Sequence, residues 1–200
     1  MTEEPTADSP GWQAIEEAFR RVHGDHQHPR RLGTSFGEPR GTVVWAIDAY
    51  PAPSHWHLVT VGLTEPWEKH SEDRENSGWG FELTMKLPRE AGDLEPPGWA
   101  VNLLKIVGDS VYRTGRPLAE GSRLDIGAPV TGRLISRLEA LVLTPDTDVA
   151  PIQTPNGRVE FLQVVGITRA ELEAMKASST ADVLEQVRAA NPRLLTDPAR

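Results

Sequence analysis

Trp79-Gly80-Phe81-Glu82-Leu83-Thr84-Met85-Lys86-Leu87 decides the fold. Its large apolar residues, Trp79, Phe81, Leu83, Met85 and Leu87, fall at every second position. That period of two belongs to a strand, whose side chains alternate between faces, and not to a helix. The pattern predicts one core face and a wetter face carrying Gly80, Glu82, Thr84 and Lys86. Working outward, residues 42–49 and 55–63 before it, and 136–143 and 159–165 after it, are rich in β-branched and apolar side chains and read as further strands. A weaker strand is expected at 123–126. The strand at 159–165 is entered through Thr154-Pro155-Asn156-Gly157, whose Asn-Gly pair favours a hairpin turn.

Helical spacing frames these runs. Ser9 and Pro10 can cap and open a helix in which Trp12, Ile15, Phe19 and Val22 share one face and which Gly24 ends. Pro96-Pro97 introduces a second, with Trp99, Ala100, Leu103, Leu104, Val107 and Val111 forming a stripe that stops at Thr114-Gly115. Thr168 and Glu171 have capping-box spacing for a third helix to about Lys176, and a fourth is expected at 181–190. Strands in consecutive runs, with helices at both ends and in the middle, give an α+β fold: a mixed, largely antiparallel sheet flanked by α-helices. Residues 1–9, acidic and poor in apolar groups, read as a disordered lead-in, and 10–197 as one domain.

Composition narrows the function. The 200 residues hold 21 Lys+Arg against 29 Asp+Glu, a net charge of −8, and no cysteine. Thiol catalysis, iron–sulfur clusters, zinc ribbons and disulfide scaffolds are excluded. The acidic balance argues against a general nucleic-acid binder, which needs a basic stripe to displace counterions from phosphates. The acidic start lacks the basic-then-apolar pattern of a signal peptide, and no run is long and apolar enough to span a bilayer. The expectation is a cytoplasmic protein with no membrane or nucleic-acid partner.

Candidate chemistry is sparse. His55-Trp56-His57 places two imidazoles on one side of a strand, a spacing metal sites use, but two ligands are not a site, and a structural or interface role is the preferred reading. The alternative is a metal-dependent enzyme using His55 and His57. His23, His26 and His28 read as part of a solvated loop. Gly-x-Ser-x-Gly and His-Glu-x-x-His are absent, and Ser77-Gly78-Trp79-Gly80-Phe81 lies between a charged loop and a strand, where neither a nucleophile elbow nor a phosphate loop occurs. No cofactor is expected. Of six Trp residues, Trp12, Trp79 and Trp99 fall on core faces, whereas Trp67 sits in a charged connection with Glu65, Glu68, Glu72, Asp73 and Glu75 against Lys69 and Arg74. An aromatic ringed by charge has the composition of a protein-binding hot spot. A ring folded back over the sheet edge is an equal reading.

Several separated segments carry a resemblance. His55-Trp56-His57-Leu58-Val59-Thr60, Ser77-Gly78-Trp79-Gly80-Phe81-Glu82-Leu83-Thr84, Pro96-Pro97-Gly98-Trp99, Thr154-Pro155-Asn156-Gly157, Phe161-Leu162-Gln163-Val164-Val165-Gly166 and Leu194-Leu195-Thr196-Asp197 resemble, in order, the signature segments of the Suppressor of fused (SUFU-like) domain family. The resemblance runs from about Trp12 to Asp197 and implies a non-enzymatic protein-binding domain. In animals the family sequesters Gli transcription factors in Hedgehog signalling, gripping a short peptide as an added strand between two lobes. This chain resembles the amino-terminal lobe, which puts a Gli-like partner in doubt. Its single-lobe size resembles bacterial relatives that look like immunity proteins of polymorphic toxin systems. The implied partner is a basic toxin, or a peptide added as a β-strand. The expected protein-binding residues are Trp67, Glu68, Glu72, Asp73, Glu75, His55 and His57. Trp67 resembles an aromatic that binds the peptide in animal members. The counterpart of a second, acidic, contact falls on Arg74, with Asp73 and Glu75 beside it.

Overall fold

The strand containing the decisive stretch, β4 (Asn76–Pro88), lies at the centre of a single sheet. In a computed structural model of the protein, residues 9–33, 44–132 and 136–200 are described. The lead-in expected for 1–9 lies outside them except for Ser9, as do residues 42 and 43 of the first expected strand. In chain order the elements are α1 (Pro10–His23), β1 (Arg30–Gly33), β2 (Ala46–Pro51), β3 (His55–Val61), β4 (Asn76–Pro88), α2 (Gly98–Thr114), β5 (Arg123–Asp125), β6 (Leu138–Pro145), β7 (Ile152–Thr154), β8 (Gly157–Thr168), α3 (Arg169–Ala177) and α4 (Thr180–Ala190). The sheet order is β1-β2-β3-β4-β8-β6-β5, with β7 paired to β8. Among the described residues only the central β4–β8 pair is parallel. This is the mixed, largely antiparallel α+β sheet expected.

Helices cover both faces. On one, Trp56, Leu58, Leu83, Met85, Leu162 and Val164 pack under Leu104, Val107 and Val111 of α2. On the other, Ile15 and Phe19 of α1 pack on Tyr50, Val59 and Phe161, while α3 and α4 close over Val142, Val165 and Ile167. Completely burying one such Leu, Ile or Phe side chain contributes roughly 1.5–3 kcal/mol. Thr168 caps α3 through the full capping box with Glu171.

Three local expectations are corrected. The wetter face of β4 is dry: Glu82, Thr84 and Lys86 are all fully buried, with polar partners from the end of β3 for Glu82 and from the connection after β6 for Thr84 and Lys86. Arg30–Gly33, for which no strand is expected above, is the edge strand β1, held by its register with β2. The hairpin at 154–157 forms one residue earlier than Asn-Gly implies. Pro155 and Asn156 make the turn, and Gly157, at φ +117°, already pairs with Thr154.

Candidate functional site

The connection from β3 to β4 is built around the Glu65 carboxylate. It accepts hydrogen bonds from the backbone amides of His70 (2.6 Å), Ser71 (2.5 Å) and Gly78 (2.9 Å), and Lys69 approaches it at 3.1 Å. Burial alone would raise its pKa, but these donors hold it down at about 2. Asp73 repeats the device on a smaller scale, accepting from the amides of Glu75 and Asn76 and from the Asn76 side chain. Two carboxylates that read as surface charge in the sequence therefore brace the loop, Glu65 from inside and Asp73 from its surface. Glu68, Glu72 and Glu75 face solvent, as does Asp73 despite its bonds to the loop backbone.

Neighbouring elements fix where the loop sits. The first amides of α1 find their acceptor in the Pro66 carbonyl, at 3.0 Å from Gly11 and 3.2 Å from Trp12, rather than in the Ser9 side chain. A Cβ on Gly11 would meet the Glu65 carbonyl at 2.5 Å, so close an approach needs glycine. Across the loop, Asn156 in the β7–β8 turn donates to the carbonyls of Glu65 (2.7 Å) and Trp67 (3.3 Å).

Trp67 packs back over the sheet edge, as the second of its readings has it. Half-buried, its ring meets Trp12 edge-on at 6.2 Å and Trp45 at 5.0 Å, and Trp45 keeps 40% of its surface exposed. The Arg31 guanidinium lies 4.6 Å from the Trp12 ring and reaches both oxygens of the buried Asp48, at 2.8 and 3.0 Å. Beside this aromatic ledge, Lys69, Glu72, Arg74, Gln153 and Asn156 line an open groove of about 670 Å³. Its rim carries both charge signs. Such a rigid, partly wet aromatic surface with a charged border suits recognition of another polypeptide.

His55 and His57 lie elsewhere. They open β3, whereas the Trp67 loop follows its other end, about 20 Å away at the rise of an extended strand. His57 is fully buried. Its Nε2 lies 2.9 Å from Asp146, and its Nδ1 lies 3.1 Å from Nε2 of His23. Asp146 also accepts from Thr84 (2.5 Å), Lys86 (2.9 Å) and the amides of Asp148 and Val149. Lys86 further contacts Thr147 and Asp148. Burial holds His57 below its ordinary pKa despite the carboxylate. Burial would raise Asp146, but His57, Lys86 and Thr84 hold it well below the usual carboxylate range. The consistent assignment is an ionised Asp146–Lys86 pair with a neutral His57 donating from Nε2 and accepting at Nδ1.

His23 is thus no loop residue. It is the last residue of α1, stacked on Tyr50 at 5.2 Å. Burial, then His57 and His55, lower it to about 4. His55 is 5% exposed, and neither ring nitrogen has a hydrogen-bond partner among the described residues. Burial, then His57 and Arg193, lower it to about 4 as well. Among the described residues, no group of three or more His, Asp or Glu is arranged to hold a metal ion. Sequence reasoning missed Asp146, Lys86 and His23 here, and Trp45, Arg31 and Asn156 at the loop. None lies near its partner in the chain. Nor is any helix among the described residues long and apolar enough to cross a membrane.

Comparison with known proteins places this architecture. The family model described as Suppressor of fused protein (SUFU) matches residues 38–200. The human Suppressor of fused homolog is 32% identical over 157 residues, 74% of this chain and 32% of its own length, so the chain spans about a third of that relative. A chain in the crystal structure of the Sufu–Fu complex superposes with a TM-score of 0.88 at 26% identity, covering 96% of this chain and 91% of that one. Drosophila Suppressor of Fused gives the same score and identity over 96% of this chain and 51% of its own. A SUFU homolog from Neisseria gonorrhoeae shares the fold, with a TM-score of 0.65 at 13% identity over 92% of each chain. The chain belongs to the Suppressor of fused family.

Proposed function

We propose that this chain is a non-enzymatic regulator that binds another protein through the Trp67 loop and the groove beside it. The carrying observation is that the loop's backbone is locked by Glu65, Asp73, Asn156 and the start of α1, while Trp67 and the carboxylates of Glu68, Glu72 and Glu75 remain on its outer side. A preordered loop loses little entropy on binding, so its aromatic ledge contributes more net affinity than a mobile one. The relative solved in a Sufu–Fu complex supports the same class of activity. The finer reading is an immunity protein of a bacterial toxin system, acting in the cytoplasm. Its partner is a basic toxin, drawn by the net charge of −8, which speeds encounter and selects partners of opposite sign. A peptide added as a strand would find the outer edge of β1, which pairs with no other strand among the described residues.

The test is affinity capture from the source cells by the wild-type chain and by a Trp67→Ala, Glu72→Ala double variant. A protein held by the first and lost by the folded second supports the interface. Equal recovery by both, or none by either, removes it.

A further inference from the structure

At the far end of β3 from the Trp67 loop, a polar recess of about 490 Å³ opens among His23, His55, Thr147, Asp148 and Arg193, with Val22, Ala52 and Pro53 as its apolar wall. Elsewhere in this buried cluster, imidazole and carboxylate groups are closely matched: His57 has partners at both nitrogens, and Asp146 has five donors. His55 is the exception. It is 95% buried, lines the recess, and has no hydrogen-bond partner at either nitrogen among the described residues. Such an orphaned buried group in a native fold calls for an explanation, and a ligand is one.

The chemistry around it selects the ligand. Arg193 supplies a permanent cation. With His57 donating to Asp146, His23 donates from Nε2 to His57 and presents Nδ1 as a second imidazole site. The other charged and titratable groups facing these rings are Tyr50 from β2, Lys86 from β4, and Asp146 and Asp148 after β6. Lys86 and Arg193 balance Asp146 and Asp148, so with neutral imidazoles the site carries no net charge. An anion bound here brings a proton with it onto His55 or His23. The geometry points to a binding site for a small organic acid, its carboxylate held by Arg193 and His55 and its short apolar body lying on Val22, Ala52 and Pro53. The size suits a small molecule, and the mix of an apolar wall with a few convergent polar groups is that of ligand pockets. This is separate from the protein-binding reading and does not rest on it.

Imidazole proton signals of the intact chain at pH 6.5, titrated with butyrate and with butyramide, test the site. Butyrate should move the His55 and His23 signals saturably and raise the apparent pKa of both, whereas butyramide, lacking the charge, should not. Arg193→Gln, a change in an exposed side chain, should weaken butyrate by about tenfold or more, the loss of one charge-assisted contact. His55→Ala should abolish the response of His23. Non-saturable shifts, equal responses to acid and amide, an unchanged affinity in Arg193→Gln, or stoichiometric zinc perturbing the same two rings would each overturn the proposal. The Trp67→Ala, Glu72→Ala variant should bind butyrate like wild type, so failure of either reading is distinguishable from failure of the other.

Discussion

His57 Nε2 lies 2.9 Å from Oδ2 of Asp146, a contact between side chains 89 positions apart that are both closed to solvent. It ties the start of β3 to the connection after β6. Because Asp146 also takes Lys86 and Thr84, that one carboxylate joins β3, β4 and the β6–β7 connection under the end of α1.

Asp146→Asn removes the fully buried one of the two carboxylates that balance Lys86, at 2.9 Å, and leaves Asp148 at 2.8 Å. Lys86 stays buried with only the partly exposed Asp148 to balance it, and the loss of stability should be about 3 kcal/mol, the low end for breaking a buried pair. Lys86→Met alone should also destabilise. The double variant Asp146→Asn, Lys86→Met should recover much of the sum of the two losses, because no fully buried charge then remains and Asp148, the carboxylate left behind, is partly exposed to water. Urea unfolding of the three variants measures this coupling. Strict additivity would show that the pair does not act as a unit.

The imidazole cluster makes stability depend on pH with a definite sign. His23 and His55 are held at about 4, below the 6.5 of the unfolded chain. The unfolded state therefore binds protons first, so their contribution is full above pH 6.5 and is lost as pH falls from there through about 4. Asp146, also lowered, adds a further loss below its ordinary value of 3.8. Urea midpoints should thus fall between pH 7 and pH 5, and His23→Gln should flatten that slope. An identical slope in the variant would remove His23 from the effect.

Glu65→Ala should release the loop without unfolding the sheet. Its carboxylate is the shared acceptor for the amides of His70, Ser71 and Gly78, and each lost bond is worth about 1 kcal/mol. Hydrogen exchange should accelerate at those three amides while the β4–β8 ladder stays protected. In the wild type the same release should occur as pH falls from the ordinary glutamate range through about 2, since a lowered carboxyl contributes only while ionised.

Much of the architecture is legible locally. The alternation at Phe81, Leu83 and Met85 and the stripe through Leu104, Val107 and Val111 each fix an element from its own residues. Arg30–Gly33 and Ile152–Thr154 escape because four and three residues carry no period, and each is a strand only through its neighbour. The polar face of β4 misleads for a related reason. Alternation marks Glu82 and Lys86 as polar but cannot tell water from a buried partner, and the partners come from Thr60, Thr64 and Asp146, set by tertiary contact. At the candidate sites the charged loop and Trp67 stand out in the sequence, whereas the ring of Trp12, Trp45 and Arg31 around them does not.

Glu82 provides the sharpest test of that buried face. Its carboxylate has no cation against it among the described residues and is instead ringed by donors: Thr60 Oγ1 and Thr64 Oγ1 at 2.6 Å, the amides of Gly62 and Thr64 at 2.9 Å, and that of Leu63 at 3.4 Å. Burial outweighs these bonds and raises its pKa. In Glu82→Gln one oxygen becomes a donor. Turned toward Thr60 it can be accepted by the hydroxyl, but that oxygen already accepts from the Leu83 amide, and the Leu63 amide loses its bond. The variant should lose about 1–3 kcal/mol, the penalty of one buried group left poorly met, and Glu82→Ala more, since a cavity and several orphaned amides remain. The pH sign is opposite to that of the histidines. A raised carboxyl contributes fully below its unfolded value of 4.5 and loses that contribution as pH rises through the folded one, so Glu82→Gln should be least harmful relative to wild type at neutral pH and most harmful in acid. Because residues 62–64 lead directly into Glu65, exchange at the Trp79 amide, which donates to Leu63, should quicken in the same variant. Unchanged stability across that range would mean that Glu82 is not what anchors the end of β3.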